Sequence, residues 1–291
     1  MTSQTPGYCR LDDYQTLIIS GPDRFEFLQG QLTNDTRRLQ ETGSIRAGWT
    51  SPKGRLLACG QLISLNDEIY WPLPADIIEN VSRRLQMFVM RAKVNISVST
   101  APVWGLTGIE PEAPLQVSGQ SVNLTGAPIA LNDGSMIAQV AGDISRAWWL
   151  SASPSSDTSA RTKWTLANIR MGLPSIYAGT QDLFVPQMVN LDLVDGISFT
   201  KGCYVGQEIV ARTQNLGRIK RRMYRFTFDC GAPERGTAVY GPDQVSGKVV
   251  ISSENELLAV IPIEHSSADW FADECRAQKL NLVSLPYEIN A

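Results

Sequence analysis

The chain has 291 residues, of which 43% are hydrophobic and 19% charged, and its formal net charge is -3. This length exceeds one usual hydrophobic core and predicts two domains, or one large domain with an appendage, of ordinary globular composition. The acidic balance argues against broad nucleic-acid binding, and no stretch approaches the ~18 consecutive apolar residues of a membrane span. The first ten residues lack the basic start and the apolar run of a targeting signal, so we expect a cytoplasmic protein without a membrane partner.

The cysteines and the histidine restrict the possible chemistry. Five cysteines are widely scattered and form no Cys-x-x-Cys pair, which is typical of a reducing compartment. Ligands of zinc or of a cluster are usually closely spaced, so we expect no zinc or cluster site built within this chain alone. The single histidine, His265, lies between Glu264 and two serines. We expect it at the surface, which disfavours a Cys-His hydrolase.

The first hundred residues carry alternating strand and helix signals. Residues 14–20 predict a strand that Gly21-Pro22 ends, and residues 23–32 have the apolar spacing of a helix. Residues 48–70 predict strands around two turns. An apolar stripe at helical spacing then predicts a helix over residues 75–90, followed by a strand at 94–98.

The middle of the chain is less regular, and its end is rich in strand signals. A polar loop at residues 151–159, which we interpret as separating two halves of one α+β domain, precedes a short helix at 164–170. Apolar runs at 223–228, 237–240, 248–251 and 257–263 alternate with turn sequences, which predicts a small closed barrel or sandwich. We therefore place an α+β domain over residues 1–217 and a β domain over residues 218–291.

The segment from residue 200 to 208 is the most informative part of the sequence. It places an ammonium, a thiol, an amide and a carboxylate within eight residues, together with Gly202 and Gly206. Glycine is kept where the backbone turns with positive φ or approaches another group closely, so the segment predicts a ligand site. Lys201 and the cations downstream favour the thiolate of Cys203, which predicts a nucleophilic, redox or metal-contacting thiol. The alternative, that Cys203 is a small buried residue, stays open.

Polar side chains on both sides of that thiol suggest how a ligand is held. Glu208 falls in the first turn of a helix predicted at residues 206–212, where the helix dipole favours a carboxylate. A carboxylate or primary amide also pairs with a heterocycle that carries adjacent N–H donors, such as a pterin or guanine edge. Gln187 and Gln207 are the amides available for this.

Six cations and no acid lie between residues 209 and 228. One interpretation places these cations on the solvent face of a strand; the other has them meet an anion, such as a polyglutamate tail or RNA phosphate. Neither of the usual glycine-rich phosphate loops is present. The six are Arg212, Arg218, Lys220, Arg221, Arg222 and Arg225.

Several motifs are spread over most of the chain. They are Phe27 to Asp35, Lys53-Gly54-Arg55, Arg170 to Pro174, Phe184-Val185-Pro186-Gln187, Asn190-Leu191, Gly196 to Phe199, Lys201 to Glu208 and Val210-Ala211-Arg212. Together they resemble the signature of the YgfZ family of folate-binding proteins, which are relatives of the glycine-cleavage T-protein, an aminomethyltransferase. A compound motif of this length is very improbable by chance.

The resemblance implies an α+β, aminomethyltransferase-like domain around a central opening, followed by a six-stranded C-terminal barrel. It implies tetrahydrofolate or a one-carbon derivative as the cofactor, and a role in iron-sulfur cluster assembly or repair that indirectly supports tRNA modification. The family's lysine and cysteine fall on Lys201 and Cys203. The cofactor-binding positions that we carry over are Gln187, Tyr204, Gln207, Glu208 and Arg212.

Two departures from the T-protein pattern argue against classical aminomethyl transfer. The acid pair that those enzymes carry after a Lys-Gly turn is absent from the run Leu56-Leu57-Ala58-Cys59. Their pterin-binding glutamate is replaced by Gln187, and an amide offers one acceptor and one donor where a carboxylate offers two acceptors.

Two rival functions stay open beside the folate-dependent accessory factor. One is a one-carbon transferase with an unknown amine donor. The other is a non-catalytic RNA-binding adaptor that contacts tRNA through Arg218, Lys220, Arg221 and Arg222. The accessory factor itself implies iron-sulfur proteins or assembly factors as partners.

Overall fold

The computed structural model describes residues 6–110, 113–154, 157–215, 219–229 and 231–289. The first elements in chain order are β1 (Gly7–Arg10), β2 (Tyr14–Ser20), α1 (Arg24–Gln29), α2 (Thr36–Thr42), β3 (Ser44–Thr50), β4 (Leu56–Leu65), β5 (Glu68–Pro74), α3 (Ala75–Gln86) and β6 (Asn95–Val98). They are followed by β7 (Val103–Thr107), β8 (Leu115–Val117), β9 (Gln120–Val122), β10 (Ile129–Ala130), β11 (Met136–Val140), β12 (Asp143–Leu150), α4 (Arg161–Arg170) and α5 (Gln207–Asn215).

The first sheet is antiparallel and has the spatial order β3-β4-β5-β2-β6. Helix α3 covers it, because its apolar residues recur at helical spacing and are buried in the core of this sheet. The helix ends at Gln86, so the prediction that it continues to residue 90 is wrong. Met87, Phe88 and Met90 are exposed, which shows that the last part of the apolar stripe is not a buried helix face.

The second sheet has the order β1-β7-β12-β11-β10 and is also antiparallel. Helix α4 packs against it, and the ring centroids of Trp164 and Trp148 lie 4.7 Å apart. Gly105 on β7 makes this approach possible, because a Cβ at that position would lie 2.5 Å from the Trp164 ring. The irregular middle of the sequence therefore folds as a sheet of short strands.

The C-terminal region is a closed six-stranded barrel in the order β13-β16-β15-β14-β17-β18, with antiparallel neighbours. The barrel predicted from the alternating apolar runs and turns is confirmed. Its strands are β13 (Arg221–Thr227), β14 (Ala238–Tyr240), β15 (Ser246–Ser253), β16 (Glu256–Pro262), β17 (Trp270–Phe271) and β18 (Lys279–Val283).

The predicted domain boundary between residues 217 and 218 lies outside the described residues, as do residues 155 and 156 of the predicted loop. The division into two domains therefore stays a prediction. Within the part of the chain that the structure describes, no helix is long and apolar enough to cross a membrane.

Glu256 on β16 joins the barrel to the end of α4. Its carboxylate accepts from Arg170 of α4 at 2.7 Å and from Arg225 of β13 at 2.8 Å. Burial by itself raises the pKa of Glu256, but the hydrogen bonds from the two arginines outweigh it and hold the pKa below its usual value. Arg170 begins the motif Arg170 to Pro174, so this part of the signature helps to attach the barrel.

Candidate functional site

The segment from Lys201 to Gly206, which we call the thiol loop, is held between other parts of the family signature. The backbone N–H of Val205 donates to the carbonyl of Gly30, and the hydroxyl of Thr50 donates to the carbonyl of Val205 at 2.5 Å. Gly206 has φ of +82°, and a Cβ there would lie 2.5 Å from the carbonyl oxygen of Ser51. This position therefore requires glycine.

The two glycines of this segment have different roles. Gly202 is exposed, and a Cβ built on it would meet no atom within 4 Å. The prediction of close approach or positive φ is therefore confirmed for Gly206 and wrong for Gly202. The turn at Lys53-Gly54 also contacts this region, since a Cβ on Gly54 would lie 2.6 Å from Ile209 Cβ.

Lys201 anchors the thiol loop to the loop that follows α1. Its Nζ is buried and donates to three backbone carbonyls, those of Gln29 at 2.7 Å, Leu32 at 2.7 Å and Asn34 at 3.0 Å. It also lies 5.1 Å from the centroid of the Tyr204 ring. Burial lowers the pKa of Lys201 to about 8, and the three carbonyl oxygens favour the protonated form because an ammonium has three donors.

This geometry corrects the role that the sequence assigned to Lys201. Within the described residues no hydrogen bond joins Nζ to the Cys203 sulfur, and the three donors of the ammonium are already used. Direct stabilisation of a Cys203 thiolate by Lys201 is therefore not supported. The structure instead shows a residue that positions the loop on which Cys203 lies.

Cys203 is exposed, which removes the alternative that it is a small buried residue. Cys9 and Cys59 are buried, and burial raises their pKa to about 11 and about 12. Cys275 is exposed, but its thiol donates to Asp273 and its pKa is raised by that carboxylate. Cys230 lies outside the described residues. Among the described cysteines, Cys203 is thus the exposed thiol with no hydrogen-bonded carboxylate.

Gln187 lies in the short 3₁₀ segment Pro186–Val189 and is fully buried. Its amide nitrogen donates to the carbonyl of Val210 on α5 at 2.8 Å, which fixes the orientation of the amide because a carbonyl oxygen only accepts. Its amide oxygen has no hydrogen-bond partner among the described residues. Gln187 therefore presents one unsatisfied acceptor beneath α5.

The remaining predicted binding residues lie on or next to α5, which confirms the helix predicted at 206–212. Glu208 and Arg212 are exposed, Gln207 is partly buried, and Tyr204 is buried with its pKa raised by that burial. The bond from Gln187 to Val210 links Gln187 to the same helix. All of these residues therefore lie on or next to α5. Gln187 is buried beneath the helix, whereas Glu208 and Arg212 lie on its exposed side.

Two members of the cationic run are neutralised by acids from distant parts of the chain. Arg222 forms a bidentate ion pair with Asp192 at 2.6 and 2.8 Å, and both side chains are more than nine-tenths buried. Arg225 pairs with Glu256. The prediction of uncompensated cations is therefore wrong for Arg222 and Arg225, and Arg222 is not accessible to a phosphate.

The other members of the run differ in exposure. Arg221 is half-buried and donates to the carbonyl of Ser246, whereas Arg212 and Lys220 are exposed. Arg218 lies outside the described residues. The tRNA contact predicted for Arg218, Lys220, Arg221 and Arg222 thus loses Arg222 and otherwise stays a prediction.

Sequence reasoning missed a central cavity of about 20 Å³, lined by both sheets and by α4. Arg46 of β3 and Cys59 of β4 line it, as does Tyr14, whose hydroxyl bonds to Ser175 at 3.2 Å and to Tyr177 at 3.3 Å. One signal was available, because Arg46 is the one charged residue of strand β3. Cys59 is the last residue of the run that lacks the T-protein acids.

Comparison with known proteins supports this fold. No protein-family model matches the chain. Its fold is similar to that of the glycine cleavage system aminomethyltransferase T from Bartonella henselae, with a TM-score of 0.72 over 98% of this chain and 87% of that chain at 12% sequence identity. The predicted fold class, an aminomethyltransferase-like α+β protein with a C-terminal antiparallel barrel, is thereby confirmed.

Relatives found by sequence identify the family more narrowly than the similarity of fold does. The chain is 32% identical over 238 residues to the tRNA-modifying protein YgfZ of Vibrio vulnificus, covering 77% of this chain and 71% of that protein. It is 29% identical over 303 aligned residues to the tRNA-modifying protein YgfZ of Photobacterium profundum, covering 96% and 91%. The chain belongs to the YgfZ family.

Proposed function

We propose that this protein is a tetrahydrofolate-binding accessory factor for iron-sulfur cluster assembly or repair, through which it indirectly supports tRNA modification. Three observations support this function. The fold is that of an aminomethyltransferase, the relatives are named as tRNA-modifying proteins, and the thiol loop presents an exposed cysteine.

The amide oxygen of Gln187 is the observation that carries the folate part of the proposal. A buried acceptor without a donor costs about 1 to 3 kcal/mol, and such a cost is retained where a ligand supplies the missing donor. A pterin edge offers adjacent N–H groups of this kind. Gln187 is fully buried and bonded to Val210 of α5, so the proposal requires this helix to move when the ligand binds. Gln207, Glu208 and Arg212 lie on the same helix.

Within this proposal, each part of the site has a separate task. Gln187 and Glu208 hold the pterin, Gln207 and Tyr204 line its site, and Arg212 attracts the anionic end of the ligand. Tetrahydrofolate, when bound, supplies the capacity to carry a one-carbon unit. Cys203 contacts a thiol, an iron species or a partner protein, and Lys201 keeps the loop in place so that the sulfur stays exposed.

The proposal does not include aminomethyl transfer. Strand β4 begins with Leu56, Leu57 and Ala58, and both Ala58 and Cys59 are buried. Since no acid is present in this run, the chain lacks the residue that the T-protein pattern places there. Transfer of an isotope-labelled methylene group to tetrahydrofolate by the purified protein would contradict this part of the proposal.

Replacing Cys203 with serine is expected to abolish function without affecting the fold. The side chain is exposed, so the stability should change by no more than about 0.5 kcal/mol and the melting temperature by less than about 2 °C. The measurement is the content of modified nucleosides in tRNA from cells that lack their own relative and express the variant. Cys275→Ser is the matched control, because it removes another exposed thiol, and it should leave these nucleosides unchanged. Full rescue by C203S would remove the thiol from the mechanism.

Removing the acceptor at residue 187 is expected to weaken tetrahydrofolate binding about five- to twelvefold, since one buried hydrogen bond contributes about 1 to 1.5 kcal/mol. Calorimetric titration of Gln187→Met measures this loss. Because that substitution also removes the donor to Val210, Glu208→Ala on the exposed face is the second variant, and its fold should be intact. Equal affinity of wild type and both variants would contradict the assignment of this site.

A further inference from the structure

Residues 87–90 form an exposed apolar segment directly after α3. Met87 is 77% exposed, Phe88 43% and Met90 89%. The ring of Phe88 packs edge to face against the buried ring of Trp49 on β3, with the ring centroids 6.4 Å apart. The segment is therefore in contact with the first sheet while its methionines project from the surface. A contiguous apolar patch on the surface is typical of a place where another molecule binds.

Four cations flank this exposed segment, and no acid lies near them in the sequence. The chain contains no Asp or Glu between residues 80 and 109. Within the described residues none of the four belongs to an ion pair, and Arg84 instead lies over the ring of Trp49, 5.8 Å from its centroid. Unlike Arg222 and Arg225, these cations keep their charge available for a partner. The four are Arg83, Arg84, Arg91 and Lys93.

A groove between α1 and α2 continues this surface. Its volume is about 310 Å³, and Phe25 and Gln29 of α1 contribute to its lining. Asp23, directly before α1, accepts a hydrogen bond from the backbone N–H of Lys93 at 2.7 Å. This bond joins the groove to the cationic end of the exposed segment.

The other end of the groove adjoins the thiol loop. The carbonyl of Gln29 accepts from Lys201 Nζ at 2.7 Å, and the carbonyl of Gly30 accepts from the backbone N–H of Val205 at 3.3 Å. Cys203 lies between these two residues of the loop and is exposed. A molecule that covers the exposed segment and enters the groove therefore lies next to the loop that carries the thiol.

We propose that the exposed segment and the groove bind another protein, through a part of that protein that carries large apolar side chains beside acidic ones. The four cations favour acids on the partner, and methionine side chains adapt to apolar surfaces of different shape. The charged residues of the groove, Glu26 and Arg37, cancel in formal charge, so this preference comes from the exposed segment.

The shape and chemistry of the surface favour a protein over the other two classes of partner. A lipid bilayer has a flat surface that does not enter a groove, and the projecting methionines offer RNA neither hydrogen bonds nor aromatic stacking. The inference goes beyond the proposed function and rests on it only for the role of Cys203, since Gln187 and Glu208 do not line the groove.

The test places the photoreactive residue p-benzoylphenylalanine at position 87 of the full-length protein, in bacterial cells that lack their own relative. Irradiation should give a covalent protein adduct, and mass spectrometry should find acidic and apolar residues in the cross-linked peptide. The control is the same residue at position 144, because Ile144 is also exposed, and it should not give this adduct. An adduct sensitive to ribonuclease, a lipid adduct, a basic peptide, the same adduct from both positions, or none at all would overturn the proposal.

The identified partner is then purified, and its dissociation constant is measured by calorimetry without folate. Met87→Ser combined with Met90→Ser should weaken binding at least about tenfold, since serine removes the apolar surface that both methionines bury against the partner. Ile144→Ser should bind as the wild type does. The double variant should keep the wild-type affinity for tetrahydrofolate, so failure of this surface and failure of the folate site give different results. Partner binding unchanged in the double variant would contradict the inference.

The contribution of charge is measured in the same way. Arg83→Glu combined with Arg91→Glu should also weaken partner binding, and the loss should be larger at low salt than at high salt. Lys248→Glu is the matched control, because Lys248 is an exposed lysine of β15 in the barrel. Equal losses in the control and in the charge-reversed variant would show that net charge, and not this surface, attracts the partner, which would overturn the proposal.

Discussion

Replacing Lys201 with methionine is expected to lower the free energy of unfolding by about 2 to 4 kcal/mol. Methionine fills a similar volume but leaves the carbonyls of Gln29, Leu32 and Asn34 without the ammonium that now bonds to all three. Each hydrogen bond from a charged donor contributes about 1.5 to 3 kcal/mol, and the loss is reduced because methionine avoids the desolvation of a buried charge. For a chain of this length, the melting temperature should fall by about 5 to 15 °C.

Lys220→Met is the matched control, since Lys220 is an exposed lysine near the first barrel strand. Its effect should stay within about 0.5 kcal/mol. Urea unfolding of both variants measures the difference. If K201M is as stable as the control, Lys201 does not anchor the thiol loop, and a direct role of its ammonium beside Cys203 becomes the better explanation of this residue.

Local signals in the sequence were sufficient for much of the fold. The barrel strands were predicted because each is short and bounded by turn residues, as at Gly241-Pro242 before β15. Strand β2 was predicted at its observed bounds for the same reason. The end of α3 was missed, because Phe88 continues the helical apolar spacing although it lies beyond the helix and is 43% exposed. Periodicity alone does not distinguish a buried residue from an exposed one.

The candidate site was predictable only as far as residue types decide it. The sequence identified the segment around Cys203 and predicted a structural need for its two glycines, which holds at Gly206 but not at Gly202. It could not show what Lys201 contacts. The carbonyls that it binds belong to residues 29, 32 and 34, far away in the chain. The central cavity was missed for the same reason, since Arg46 and its surroundings come from strands that only the folded sheets bring together.

The cations between residues 209 and 228 show most clearly what the sequence alone cannot predict. The sequence contains no acid between residues 209 and 228. That pattern by itself indicates a cationic surface without ion pairs. Folding brings Asp192 and Glu256 to Arg222 and Arg225. Neither acid is within the window in which a charge pattern is normally judged, so the inference of an anion-binding surface depended on information that only the fold provides.

Replacing Asp192 with asparagine is expected to destabilise the protein by about 3 to 5 kcal/mol, because it leaves a buried guanidinium without its partner charge. The side chains of Arg222 and Asp192 are only 4% and 8% exposed. Arg222 also donates to the backbone carbonyl of Gln187 at 2.8 Å. The ion pair thus attaches strand β13 to the segment that carries Gln187, and D192N should weaken tetrahydrofolate binding as well as stability.

A double-substituted protein distinguishes the stability that the ion pair contributes from the penalty of leaving one buried charge unpaired. Replacing both residues, as Arg222→Met with Asp192→Leu, should recover much of the stability that D192N loses, because a buried ion pair contributes little beyond apolar side chains of similar volume. The effect of D192N in urea unfolding should also be nearly the same at low and high salt, since buried charges are poorly screened. A small effect that disappears at high salt would instead show that Arg222 is exposed in solution, and would return it to the residues available for a phosphate.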